Sequence, residues 1–129
     1  MKKMVWLIVI VMLFAGLAEA KDYMLNKKAG DLAVTVRIDR NPPIVGINNL
    51  EIGLKDASGR EVTDALVTVD YGMAGMPGMP AMNYKANAPL RSGKYNAAMK
   101  LSMAGPWNVT VKINRQGKTV STKFTVDAR

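Results

Sequence analysis

Leu32, Val34, Val36 and Ile38 alternate with Ala33, Thr35 and Arg37, which places four apolar side chains on one face of an extended segment. Asn41-Pro42-Pro43 ends that segment. Leu50, Ile52 and Leu54 repeat the alternation, and Asp56-Ala57-Ser58-Gly59 supplies turn chemistry. A third strand is expected from Val62 to Tyr71, with Ala65, Val67, Val69 and Tyr71 on one face; Asp64 and Asp70 are expected on that strand too. Residues 72–82 read Gly-Met-Ala-Gly-Met-Pro-Gly-Met-Pro-Ala-Met, and their Gly and Pro content excludes a regular helix or a central strand. A long loop is predicted there. Tyr84 to Ala88 form a short strand and Pro89 to Gly93 a turn, after which Tyr95, Ala97, Met99 and Leu101 alternate. Met103-Ala104-Gly105-Pro106 interrupts the pattern. It resumes at Trp107, Val109, Val111 and Ile113, and a hairpin over Asn114 to Lys118 leads into Val120, Thr122, Phe124 and Val126.

Period-two segments joined by Gly and Pro turns, with no helical pattern between them, predict an all-β fold. The expected architecture is an immunoglobulin-like antiparallel β-sandwich of about seven strands, with Trp107 as a core anchor. The N-terminus reads differently. Lys2 and Lys3 precede an unbroken apolar stretch of 15 residues from Met4 to Ala18, and Ala18-Glu19-Ala20 has the small-residue pattern that signal peptidase reads. That stretch is shorter than the roughly 20 residues of a spanning helix. Residues 1–20 are therefore expected to be a signal peptide cleaved after Ala20, residues 21–30 an N-terminal segment, and residues 31–129 the sandwich domain. The expected destination is the periplasm or the exterior; the alternative is a membrane anchor formed by an uncleaved N-terminal helix.

Composition narrows the chemistry. The chain has 129 residues, no Cys and no His, which excludes disulfides, thiolate or imidazole metal sites, and nucleophiles that depend on Cys or His. Asp64 and Asp70 lack a base or metal partner in the sequence pattern, so no acid–base pair can be built on them. No enzyme is expected. A net charge of +8 favours acidic partner surfaces, although a solvated surface is the plainer reading. Lys21, Lys27 and Lys28 form a small basic group read as a solvated tail. Basic residues are not interleaved with exposed aromatics, so nucleic-acid binding is not expected, and membrane contact is limited to the signal peptide before cleavage.

The methionines carry the remaining chemistry. Five of the seven after residue 20 fall in two Gly-Pro segments: Met73, Met76, Met79 and Met82 at every third position, and Met103 in the second segment. A thioether is a soft, neutral donor that needs no deprotonation, so clustered Met selects Cu(I) or Ag(I) over Zn(II) and hard cations. These five residues are the candidate metal ligands and Cu(I) or Ag(I) the candidate cofactor. Two plainer readings stay open: the methionines cap the open end of the sandwich over Trp107 or Tyr84, or they form a Met-rich surface for a protein partner.

Three ordered segments carry a family resemblance. They are Pro43-Ile44-Val45-Gly46-Ile47-Asn48-Asn49-Leu50 leading to Leu54-Lys55-Asp56 and Gly59; Ala65-Leu66-Val67-Thr68-Val69 leading into the Met-Pro segment; and Gly93-Lys94-Tyr95-Asn96-Ala97 followed by Leu101-Ser102-Met103-Ala104-Gly105-Pro106-Trp107. Together they resemble the YtkA-like, or FixH-type, family of small exported domains, over residues 31 to 126. The resemblance implies an immunoglobulin-like sandwich in the bacterial envelope and an accessory role in copper or heavy-metal handling. It also implies partners among efflux or oxidase-assembly proteins, with a module that binds no metal itself as the alternative. FixH-type proteins keep an N-terminal membrane helix, and the Ala18-Glu19-Ala20 site departs from that pattern.

Overall fold

The computed structural model describes residues 23–129; the expected signal peptide, its cleavage site and Lys21 lie outside the described residues. Nine strands follow one another: β1 (Tyr23–Ala29), β2 (Leu32–Ile38), β3 (Gly46–Lys55), β4 (Leu66–Met73), β5 (Met82–Asn87), β6 (Leu90–Arg91), β7 (Lys94–Leu101), β8 (Gly105–Arg115) and β9 (Lys118–Ala128). They form two antiparallel sheets, β1-β2-β3-β7-β6 and β5-β4-β8-β9. In immunoglobulin terms β2-β3-β7-β6 is the A-B-E-D sheet and β5-β4-β8-β9 the C′-C-F-G sheet, with β1 added beyond A.

Alternation sets which face each strand buries. Val34, Val36, Leu50, Ile52, Tyr95, Ala97, Met99 and Leu101 of one sheet meet Val67, Val69, Trp107, Val109, Val111 and Ile113 of the other in a single core. Two tyrosine hydroxyls tie the layers by hydrogen bonds. Tyr95 Oη on β7 donates to Val62 O (3.0 Å) and accepts from Ala65 N–H (3.1 Å), pinning the crossover between sheets. Tyr71 Oη on β4 accepts the Lys100 N–H at 3.1 Å. The C-terminal Arg129 joins the layers as well: its N–H bonds Pro43 O and its carbonyl accepts from Val45 N–H.

Four expectations change. First, the sandwich has nine strands rather than seven, because residues 23–29 are a strand and not a tail: all seven pair with β2, from Tyr23↔Ile38 to Ala29↔Leu32. Lys27 sits at an inward position among Tyr23, Leu25 and Ala29, and its charge interrupts the apolar alternation that would have revealed the strand. Leu90 and Arg91 form the other added strand, too short to show a period. Second, the sheet takes in Tyr23–Ala29, which lie within the expected N-terminal segment. Third, the expected Val62–Tyr71 strand is shifted to Leu66–Met73. Val62 is buried but lies in the crossover, its N–H bonded to Leu54 O at 2.9 Å. Asp64 thus precedes the strand and pairs with Arg115, while Asp70 on the strand pairs with Lys112. Fourth, residues 72–82 are not one irregular loop but the end of a β-hairpin.

Candidate functional site

That hairpin positions four of the five candidate sulfurs. β4 and β5 pair from Thr68↔Asn87 to Met73↔Met82, so Met73 and Met82 are cross-strand neighbours at its base. Pairing lapses over Ala74, Gly75, Pro80 and Ala81 and returns once, at Met76↔Met79. There the Met76 N–H bonds Met79 O at 2.9 Å and the Met79 N–H bonds Met76 O at 2.8 Å. Pro77 and Gly78 are the two central residues, and Gly78 has φ +82°. Pro followed by a residue of positive φ is the type II turn, whose twist splays the flanking strands instead of matching them. Pro80, which has no N–H, adds to the lapse.

The base of the hairpin is anchored. Tyr71 and Tyr84 stack with ring centroids 5.5 Å apart, and each lies 6.1 Å from the Trp107 ring. Trp107 is fully buried at the start of β8, and its Nε1–H donates to Met103 O at 3.0 Å. The place and the bond, from an aromatic at the E–F corner to a carbonyl a few residues upstream, match the tyrosine corner of immunoglobulin domains, with Trp in the role of Tyr. Met82 Sδ accepts from Ser102 Oγ (3.7 Å), in the β7–β8 corner, and from Tyr84 Oη (3.8 Å). The Met73 methyl lies against Gly105 in the same corner. The corner therefore holds both base methionines.

The five candidates thus divide. Met73 is buried, and Met82 and Met103 are partly buried and packed against the core, as the capping reading expects. Met76 and Met79 stand at the tip, 52% and 40% exposed. A shared face for all four hairpin methionines does not follow from a spacing of three, because cross-strand partners in a hairpin share a face and third neighbours do not. The structure does place all five at one end of the sandwich, with Met103 in the corner that holds Met73 and Met82.

Periodicity along the chain does not bring Tyr71, Tyr84 and Trp107 together, because the group depends on the Tyr71↔Tyr84 register and on the β4–β8 pairing. A hollow of about 230 Å³ lies nearby, lined by polar Asp70, Asn83, Asn108 and Thr110 and by apolar Met73, Ala74 and Ala81 among others. One carboxylate, already paired with Lys112, is a poor set of donors for a hard cation. Among the described residues no group of three Asp or Glu side chains is placed to hold a metal ion.

Comparison with known proteins agrees with this architecture. A crystal structure of FetP from uropathogenic E. coli strain F11, in its as-isolated form after expression in the periplasm of E. coli BL21(DE3), superposes with a TM-score of 0.53. The match covers 83% of this chain and 95% of that one at 10% identity, a likeness of fold. No curated protein matches. A model of the family described as YtkA-like matches residues 26–112, from β1 into β8, and so takes in strands of both sheets, the hairpin and the Trp107 corner. The chain belongs to the YtkA-like family.

Proposed function

We propose that this protein is an exported, non-enzymatic accessory of copper or heavy-metal handling that binds Cu(I) or Ag(I) through its methionine-bearing hairpin. The observation behind this reading is the convergence of Met73, Met76, Met79, Met82 and Met103 at one end of a chain that has no Cys or His. Thioethers are the soft donors this chain has, and they select monovalent soft ions over Zn(II), Mg(II) or Ca(II). Neutral sulfurs do not compensate the charge of the cation. Affinity should therefore suit handing the metal on, with an efflux or oxidase-assembly protein of the envelope as the recipient, better than storage. Because no imidazole or thiol takes part, binding should change little between about pH 5 and 8.

The test is titration with Cu(I) against a competing chelator. Saturable binding that disappears when all five methionines are replaced by Leu, which keeps the apolar bulk, supports coordination. A protein that leaves all the Cu(I) with the chelator removes this reading, and the exposed Met76, Met79 and Tyr84 would then serve as an adaptable surface for a protein partner.

A further inference from the structure

The two tip sulfurs differ from the rest in ways that bear on chemistry. Met76 and Met79 are a hydrogen-bonded cross-strand pair, which sets their Cα atoms about 5.5 Å apart with both side chains on the same side of the ribbon. The turn between them is closed by two backbone bonds, and Pro77 restricts its unfolded alternatives, so the pairing exists before any ligand arrives. Both side chains are exposed, while the sulfur of Met82 already accepts two hydroxyl hydrogen bonds and Met73 is 5% exposed.

Resting on the soft-metal reading above, we propose that Met76 and Met79 form a preformed two-thioether clip for one Cu(I) or Ag(I) ion, and that oxidation of these sulfurs by a peroxide switches the clip off. A d¹⁰ monovalent ion accepts two sulfur donors readily, and two flexible thioethers on one face of a narrow ribbon can close on it without moving the core. The same lone pairs are the site of oxidation. A sulfur lone pair attacks one peroxide oxygen, the O–O bond breaks as the S–O bond forms, and the second oxygen leaves as hydroxide, which takes the proton from the transferred oxygen and departs as water. Sulfur is oxidised by two electrons and the peroxide is reduced by two. The product is methionine sulfoxide, in which a hard oxygen takes one of the two soft lone pairs and makes the remaining one a poorer donor, so the preference for Cu(I) and Ag(I) is lost. Because the tip lies outside the core, the added oxygen is solvated and the sandwich is undisturbed.

Each thioether sulfur has two lone pairs; a cation held on one draws charge from the other and shields the sulfur, so bound metal slows attack on peroxide, and oxidation in turn weakens the metal site. Met24 supplies an internal control. It is 60% exposed, more than either tip residue, and it lies on β1 in the opposite sheet, away from the hairpin.

The experiment treats the purified protein with limiting hydrogen peroxide, with and without Ag(I), and follows each methionine by peptide-mapping mass spectrometry. Without metal, Met24, Met76 and Met79 should oxidise roughly tenfold faster than Met73 and Met99. Ag(I) should slow Met76 and Met79 by about fivefold or more and leave Met24 unchanged, as expected for a ligand that occupies only the tip lone pairs. Protein carrying both tip sulfoxides should bind Ag(I) about tenfold more weakly or worse, with its melting temperature retained. The Met76→Leu/Met79→Leu variant should lose Ag(I) to the same extent. If the parent binds Ag(I) but the metal protects Met82 or Met103 and not the tip, the clip is wrong and the wider soft-metal reading stands. Tight Ag(I) binding by the doubly oxidised protein would overturn the switch. If the parent binds neither Ag(I) nor Cu(I), both readings fall.

Discussion

Asn48 is a fully buried polar side chain at the start of β3, and its amide does the work of a short stretch of sheet. Its Oδ1 accepts the Ile44 N–H at 2.9 Å, and its Nδ2 donates to Ile44 O at 2.7 Å and Gly46 O at 3.3 Å. The β2–β3 connection can lie against the core only because these backbone groups are satisfied. Asn48→Ala should therefore lower stability by about 3 kcal/mol, the sum of lost bonds and newly unpaired groups, as read from denaturant unfolding. Trp107→Phe removes the indole N–H to Met103 O and part of the ring contact with Tyr71 and Tyr84. A loss of about 2 kcal/mol is expected, and a change below a few tenths would show that the corner bond is incidental.

At the scale of elements, the β4–β5 hairpin depends on two glycines for different reasons. A Cβ on Gly72 would lie 2.2 Å from Met82 O and 2.8 Å from Asn83 Oδ1, so the two strands can approach only where a side chain is missing. Gly72→Ala should push β5 from β4, cost about 2–3 kcal/mol, and speed amide exchange across residues 82–87. Gly78 meets nothing within 4 Å but has φ +82°, which the type II turn requires. Gly78→Ala should cost only about 1 kcal/mol, because the strain is local and the tip makes no core contact. Reversing that order would mean that the tip, not the base, holds the hairpin together. The Gly-Pro content of residues 72–82 signals a break from regular strand. It does not reveal that Met76 and Met79 pair across that break, because the pairing is written in one turn of four residues whose twist runs against its flanks.

For the molecule as a whole, the absence of His removes the side chain that most often titrates near neutrality. Among the described residues two carboxyls contribute on the acid side. At Asp39 burial pushes the pKa up, but the Asn49 backbone N–H and side-chain amide, with the charge of Arg40, hold it below its ordinary value. At Asp56 the Ser58 hydroxyl and the Arg60 N–H lower it, against a smaller upward push from burial. Both groups are lowered on folding. Their contribution is thus fully present above the unfolded carboxyl value of about 3.9 and is lost as pH falls through the folded values. Thermal stability should be nearly flat from about pH 8 to 5 and decline below about pH 4. Asp39→Asn should flatten part of that decline. A transition centred near pH 6 would contradict this assignment.

Period-two alternation in Leu32–Ile38, Leu50–Leu54, Tyr95–Leu101 and Trp107–Val126 was enough to specify a two-layer β fold, because one buried face per strand admits no other period. Composition alone restricted metal chemistry to thioether, carboxylate, amine and hydroxyl donors. β1 was hidden by Lys27, since pairing with β2 is a backbone matter and the inward charge obscured it. The sorting of the methionines into a held base and an open tip belongs to the tertiary structure. It rests on the Met73↔Met82 register, on Ser102 and Tyr84 at the sulfur of Met82, and on a type II turn that separates the tip from the sheet. Each of these joins groups on different strands or sets a local backbone twist, and a side-chain period along one strand encodes neither.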